Sequence, residues 1–227
     1  MSIPRTTSVI FDLDGTLVDS EPNYWEAGRR LLAEYGVTDY DWERHSRFIG
    51  IGTRETLEIL RGEYGIEASV ETLLAGKNRH YLALARTATE VFPQMRAFVE
   101  LLHAAGVPLA VASGSSRAAI EAVLAATGLD TLITTTVSAE EVPRGKPEPD
   151  VFLAAARLLG SAPADCVVVE DAAPGAAAAH AAGMRCIAVP YEEATAADPA
   201  FARADLLYAG GQSAFTAEGA YAWLRSR

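Results

Sequence analysis

Short apolar runs alternate with longer amphipathic stretches over most of the chain. Ser8–Phe11, Pro108–Ala112, Thr131–Val137, Cys166–Val169, Arg185–Val189 and a weaker Ala204–Tyr208 each predict a buried strand. Between them, helical spacing fills Pro93–Ala105, Arg117–Thr127, Asp150–Leu159, Gly175–Ala182 and Ala214–Arg225. Such alternation predicts an α/β fold, a Rossmann-like parallel sheet core with helices on both faces. One stretch breaks the pattern. From Glu21 to about Thr89 only helical periodicity occurs, over Pro22–Tyr35, Asp41–Phe48, Arg54–Tyr64 and Val70–Arg86, with breaks at Gly36, Gly50-Ile51-Gly52 and Gly65. This reads as an all-helical insertion at 20–88, set into a catalytic core of 1–19 and 89–227. The two connections, near Asp19-Ser20 and Ala88–Phe92, are natural hinges.

Polar residues cluster where the apolar runs end. The first run leads into Asp12-Leu13-Asp14-Gly15-Thr16. Alternation puts the two carboxylates on one side of an extended chain, and Gly15 allows a sharp turn. Like charges this close repel, and burial worsens the repulsion. A bound cation would hold them together, and magnesium suits a hard oxygen site. One carboxylate could then attack an electrophile while the other moves a proton. Three later segments accompany the pair: Val111-Ala112-Ser113-Gly114-Ser115, Gly145-Lys146-Pro147-Glu148-Pro149-Asp150 and Val167-Val168-Val169-Glu170-Asp171. All but the lysine turn close a predicted strand, the edge at which open parallel sheets bind ligands.

With these four motifs in this order, the chain resembles the haloacid dehalogenase superfamily, most of all its branch of small phosphatases and beta-phosphoglucomutase-like enzymes. The resemblance implies a magnesium-dependent phosphatase acting on a small phosphorylated metabolite, a sugar phosphate for preference. It makes Asp12 the nucleophile that forms an aspartyl-phosphate and Asp14 the general acid–base. Ser113 and the Gly114 N–H would bind phosphoryl oxygens, and Lys146 would bridge the phosphoryl group and Asp12. The metal would be held by Asp12, the Asp14 carbonyl, Asp171 and Glu170, the last directly or through water. Ala172 stands where the family often has serine. The resemblance also implies that the insertion is a cap closing over the site, with Arg54 and Lys77 as substrate contacts. Arg117, just after Ser113, is a further phosphate-binding candidate. Thr16 reads as a hydroxyl for Asp14 or as a turn residue, and Ser20 as the N-cap of the helix containing Pro22.

A sugar phosphomutase is the main rival. The beta-phosphoglucomutase-like relatives have a cap histidine where this chain has Tyr24, which weighs toward hydrolysis. A haloacid dehalogenase would need neither Asp14 nor the metal. A phosphonate-cleaving enzyme would need a cap lysine as a Schiff base, and Lys77 is the sole lysine there. A non-enzymatic regulatory or binding protein on the same fold is the alternative of another class. The four histidines, His45, His80, His103 and His180, lie outside the motifs and read as surface or packing residues.

Composition narrows the setting. The chain has 227 residues, enough for a full core, and a net charge of −11, which gives nucleic acid no basic footprint. Between Ser20 and Arg86 there are 9 basic and 11 acidic residues, against 10 and 19 elsewhere, so the insertion is relatively richer in cations. Lys77 and Lys146 are the only lysines beside 17 arginines, which singles out both. Cys166 and Cys186 read as reduced core thiols. Met1-Ser2-Ile3-Pro4-Arg5 has no signal-like apolar run, and no uncharged run is long enough to span a membrane. A cytoplasmic protein, monomeric or weakly dimeric, is expected.

Overall fold

The computed structural model describes Ile3, residues 7–49 and residues 51–226. Gly50 and the N-terminal residues 1–2 and 4–6, used above for the segment break and the reading of the N-terminal stretch, lie outside the described residues. The chain divides into two compact units, Met1–Asp19 with Glu90–Arg227, and Ser20–Thr89.

The first unit is built on β1 (Ser8–Phe11), preceding a two-residue strand β2 (Val18–Asp19). The second unit supplies α1 (Glu21–Glu34), α2 (Trp42–Ser46), α3 (Thr53–Glu63) and α4 (Val70–Ala85). The first unit resumes with β3 (Glu90–Val91), α5 (Pro93–Ala104), β4 (Leu109–Ser113), α6 (Arg117–Thr127) and β5 (Thr135–Ser138). It ends with α7 (Asp150–Leu159), β6 (Cys166–Glu170), α8 (Ala173–Ala181), β7 (Arg185–Ala188), β8 (Leu206–Leu207), α9 (Gly211–Ala214) and α10 (Ala217–Arg225).

The sheet is six-stranded and parallel, in the order β5-β4-β1-β6-β7-β8. The chain builds outward from β1 on one side through β4 and β5, and on the other through β6, β7 and β8. The switch point therefore falls at β1, and open parallel sheets bind ligands beyond the strand carboxyl ends at such a point. Side-chain alternation feeds both faces. Ile10, Ala110, Ala112 and Val168 pack with Phe152 of α7 and Ala176 of α8. Phe11, one residue on from Ile10, meets Phe98 of α5 edge-on at 5.9 Å. The small alanines of α8 allow close packing on the strands.

Three local expectations change. The fifth strand starts at Thr135, because Gly128 ends α6 in the left-handed conformation and a 3-10 turn over Leu129–Thr131 follows. Leu129 in that turn and Ile133 just after it are buried, so apolar character there marks packing rather than strand. The last helix splits: Phe215 is extended and packs between Phe98 and Tyr208, and Thr216 caps α10 by accepting from the Gly219 N–H. Ser20 stands at the N-cap of α1 with Pro22 in the first turn, but its hydroxyl caps nothing and is buried without a partner.

The helical unit has its own core of Leu31, Leu32, Tyr40, Leu57, Leu60, Ile66 and Leu73. Asp41 and Ser69 cap α2 and α4 through their side chains. The two cysteines are free and buried. Among the described residues no helix is long and apolar enough to cross a membrane.

Candidate active site

Asp12 follows the last residue of β1, and its backbone N–H donates to the Val169 carbonyl of β6, 3.0 Å away. Ser113 closes β4, and Glu170 closes β6 with Asp171 next. Adjacent parallel strands thus bring side chains more than 150 residues apart to one sheet edge. Lys146 arrives from the loop before α7, ahead of a cis peptide bond to Pro147.

The Lys146 ammonium joins the group together. Its Nζ donates to Asp12 Oδ1 at 2.5 Å and to Glu170 Oε1 at 2.6 Å. Burial opposes its charge, but Asp12 and Glu170 outweigh that and hold its pKa above the ordinary lysine value. The other oxygen of Glu170 accepts from the Ala172 N–H at 2.8 Å. Thr16 donates to Asp171 Oδ1 at 2.7 Å, which replaces the expectation that it serves Asp14 or the turn alone.

Asp12, Glu170 and Asp171 are all buried, with the part-buried Lys146 ammonium among them. Burial raises the Asp12 pKa to about 7; Lys146 pulls it down, while Glu170 and Asp14 push it up. Asp171 is raised well above the ordinary value, first by burial and then by Glu170 and Asp12. The cluster holds more carboxylate than its own cation neutralises. It is also tightly cradled. Gly15 has φ +81°, and a Cβ there would fall 2.3 Å from Asp171 Oδ2. A Cβ on Gly175 of α8 would fall 1.6 Å from Glu170 Oε1.

Asp14 is anchored by hydroxyls. Ser115 Oγ donates to its Oδ2 at 2.6 Å, and Ser113 Oγ approaches the same oxygen at 3.4 Å. Ser115 was not singled out from the sequence; its place two residues beyond Ser113, on a loop opening a helix, was the available signal. Gln212 of α9 was missed too. Its Nε2 donates to the carbonyls of Gly15 at 3.2 Å and Thr16 at 3.0 Å, supporting the turn after Asp14. No motif marks it.

The remaining candidates are held differently. Arg117 opens α6, and its guanidinium is engaged by Glu141 and by Thr136 of β5. Gly114 sits in the same loop, between Ser113 and the helix. In the helical unit, exposed Arg54 pairs with Glu71 at 3.0 Å. Lys77 is buried on α4, 5.6 Å from the Tyr24 ring centroid, and Tyr24 stacks on Tyr81 at 4.3 Å. Burial lowers the Lys77 pKa to about 8, with Glu21 acting in the opposite sense. Two histidines are more engaged than expected: His45 lies between Glu21 and Tyr40, at 3.0 and 3.2 Å, and His80 meets Glu34 at 2.7 Å.

The profile described as haloacid dehalogenase-like hydrolase matches residues 9–189, spanning all four polar clusters. The chain belongs to the haloacid dehalogenase-like hydrolase family. It is 38% identical over 194 residues to the fructose-1-phosphate phosphatase YqaB of Escherichia coli K12, covering 82% of this chain and 97% of that protein. It is 33% identical over 188 residues to a bifunctional riboflavin kinase/FMN phosphatase of Arabidopsis thaliana. That match covers 82% of this chain but 48% of the relative, so this chain spans about half its length. A solved structure of a candidate beta-phosphoglucomutase from Thermotoga maritima superposes with a TM-score of 0.77 at 28% identity, covering 97% and 99% of the two chains. Family and relatives together make this protein an enzyme of the phosphoric monoester hydrolase class.

Proposed function

We propose that the protein is a magnesium-dependent phosphatase that hydrolyses a small sugar phosphate through an aspartyl-phosphate on Asp12. The observation that carries this reading is the buried Asp12 carboxylate, bonded to Lys146 at 2.5 Å beside surplus buried acid. A carboxylate held by an ammonium and stripped of water is placed to attack an electron-poor centre. The relative acting on fructose 1-phosphate supports the substrate class.

The donor set fits magnesium. All the candidate groups are hard oxygens, and the pKa values of Asp12 and Asp171 are raised first by burial and then by neighbouring carboxylates, both of which a bound cation would offset. Among the described residues no group of three His, Cys, Asp or Glu side chains forms a ready metal cluster. Magnesium needs few protein ligands, and here Asp12 and Asp171 would hold it together with the Asp14 carbonyl and water. Both oxygens of Glu170 already have partners, so Glu170 would act through water. Bound there, the ion would neutralise phosphoryl oxygens and draw electron density from phosphorus.

The chain's own groups divide the remaining work. Asp12 forms the new bond to phosphorus as the bond to the leaving alcohol oxygen breaks, and Asp14 gives that oxygen its proton. Ser113 and the Gly114 N–H bind phosphoryl oxygens, and Lys146 stabilises the developing charge. In the second half Asp14 takes a proton from water, which attacks phosphorus and frees Asp12. The helical unit acts as a cap, and Lys77 as its substrate contact. Arg54 and Arg117, already committed to Glu71 and Glu141, are weaker contacts.

The Thermotoga relative and Lys77 favour a mutase as the second reading, and Tyr24, in place of histidine, opposes it. The deciding experiment screens phosphate release over sugar phosphates with magnesium, in parallel with isomerisation of glucose 1-phosphate. Phosphate release without isomerisation is expected. Conversion to glucose 6-phosphate with little free phosphate would establish the mutase instead.

A further inference from the structure

Three serines form a chain at the edge of the site. Ser138, fully buried at the end of β5, lies opposite Ser113 in the strand register. Its hydroxyl donates to the Ser115 carbonyl at 2.7 Å. From the other side, the Ser115 N–H donates to Ser113 Oγ at 3.0 Å. Ser138 is itself fixed, its N–H donating to Glu141 and its Oγ accepting from the Glu140 N–H. The Ser115 backbone is therefore gripped at both its N–H and its carbonyl. Its hydroxyl, carried on that fixed backbone, makes a 2.6 Å bond to Asp14 Oδ2. At 2.6 Å this bond is far shorter than the 3.4 Å approach of Ser113 to the same oxygen, so Ser115 is the hydroxyl that holds the Asp14 carboxyl group.

We infer that Ser115 is a positioning residue, whose hydroxyl fixes the Asp14 carboxyl in the orientation that delivers its proton to the leaving oxygen. The inference rests on the phosphatase reading with Asp14 as acid. An aspartate at a strand-to-loop turn has two freely rotating side-chain bonds, and proton transfer requires the acid within hydrogen-bond reach of the leaving oxygen. Anchoring one carboxyl oxygen removes that freedom before substrate arrives. As the bond from phosphorus to the leaving oxygen breaks, the proton passes from Asp14 to that oxygen, and Ser115 keeps its own proton throughout. Ser138 acts one step further back, by fixing the backbone that presents Ser115.

The test is single-turnover enzyme phosphorylation in Ser115→Ala, Ser115→Thr and Asp14→Asn, each with an alkyl phosphate and with 4-nitrophenyl phosphate. An aryl leaving group departs without help from an acid, so only the alkyl rate depends on where Asp14 points. Ser115→Ala should slow the alkyl reaction on the order of 10- to 100-fold and the aryl reaction by less than about threefold. The concentration for half-saturation should stay near wild type, and Ser115→Thr should restore most of the alkyl rate. Equal losses with both substrates, or no loss with either, would overturn the inference, provided Asp14→Asn still discriminates between them. If Asp14→Asn does not discriminate, the acid role of Asp14 falls and this inference falls with it. Ser138→Ala should show the same alkyl-selective loss to a smaller degree.

Discussion

Thr16 donates a 2.7 Å hydrogen bond to Asp171, across 155 residues of sequence. It ties the turn after the Asp12–Asp14 pair to the acid that follows β6.

Replacing Thr16 with valine keeps the shape and removes the donor. Asp171 is buried, and the Thr16 bond is one of the few influences that favour its charged form. Outer contacts of this kind typically change metal affinity about 10- to 100-fold. Thr16→Val should therefore weaken magnesium binding by about that factor, read by calorimetric titration of the folded protein. Unchanged affinity would disprove the link.

Asp12→Asn should lose at least about a thousandfold in turnover while keeping the fold, because an amide cannot form the acyl-phosphate. EDTA should abolish wild-type activity and magnesium restore it. Near-normal turnover by folded Asp12→Asn, or indifference to the chelator, would sink the mechanism.

Gly175→Ala tests the cradle around Glu170. The new methyl group would occupy the place of the Glu170 carboxylate, which can move only by giving up Lys146 and the Ala172 N–H. Turnover should drop at least about tenfold. The melting temperature should change far less, since only the end of one side chain must shift. Full activity would mean that Glu170 need not sit where it does.

Lys77→Met tests what a buried ammonium is for. Lys77 is 6% exposed and its pKa is lowered to about 8, chiefly by burial. Its folded pKa lies below its unfolded one, so unfolding takes up a proton between the two. Wild-type stability from this group is therefore lowest below pH 8 and rises toward the ordinary lysine range. The methionine variant should melt higher at pH 7, and its advantage should shrink between pH 8 and 10. Its half-saturating concentration for a sugar phosphate should rise, while a small generic ester should be little affected. No gain in melting temperature at pH 7 would refute the stability argument; equal losses for both esters would refute the substrate contact.

The sheet and its motifs were legible because their physics is local. Buried parallel strands read as apolar runs, and each run's last residues carry the polar side chains of the edge. The pairing of Asp12 with Lys146 was implied by the family resemblance, yet the Lys146–Glu170 bond depends on the loop's path in space. Thr16 shows the limit more sharply, since its true partner lies beyond the reach of local spacing. Ser115 and Gln212 went unseen because a serine in a loop and a glutamine in a four-residue helix are ordinary. The two-residue strands β2 and β3 were likewise too short to produce any periodicity.

Those two short strands carry a consequence for how the protein could diversify. Val18 pairs with Val91 and Asp19 with Glu90, antiparallel, and Tyr191 secures Asp19 at 2.9 Å. The chain therefore leaves the sheet unit and re-enters it at neighbouring points. The 70 residues of Ser20–Thr89 amount, for the sheet, to one long hairpin loop. Closure entropy grows slowly with loop length, so such a loop can lengthen, shorten or be exchanged at little cost to the strands. If this unit is the cap proposed above, exchanging it would rewrite substrate preference and leave the residues around Asp12 unchanged.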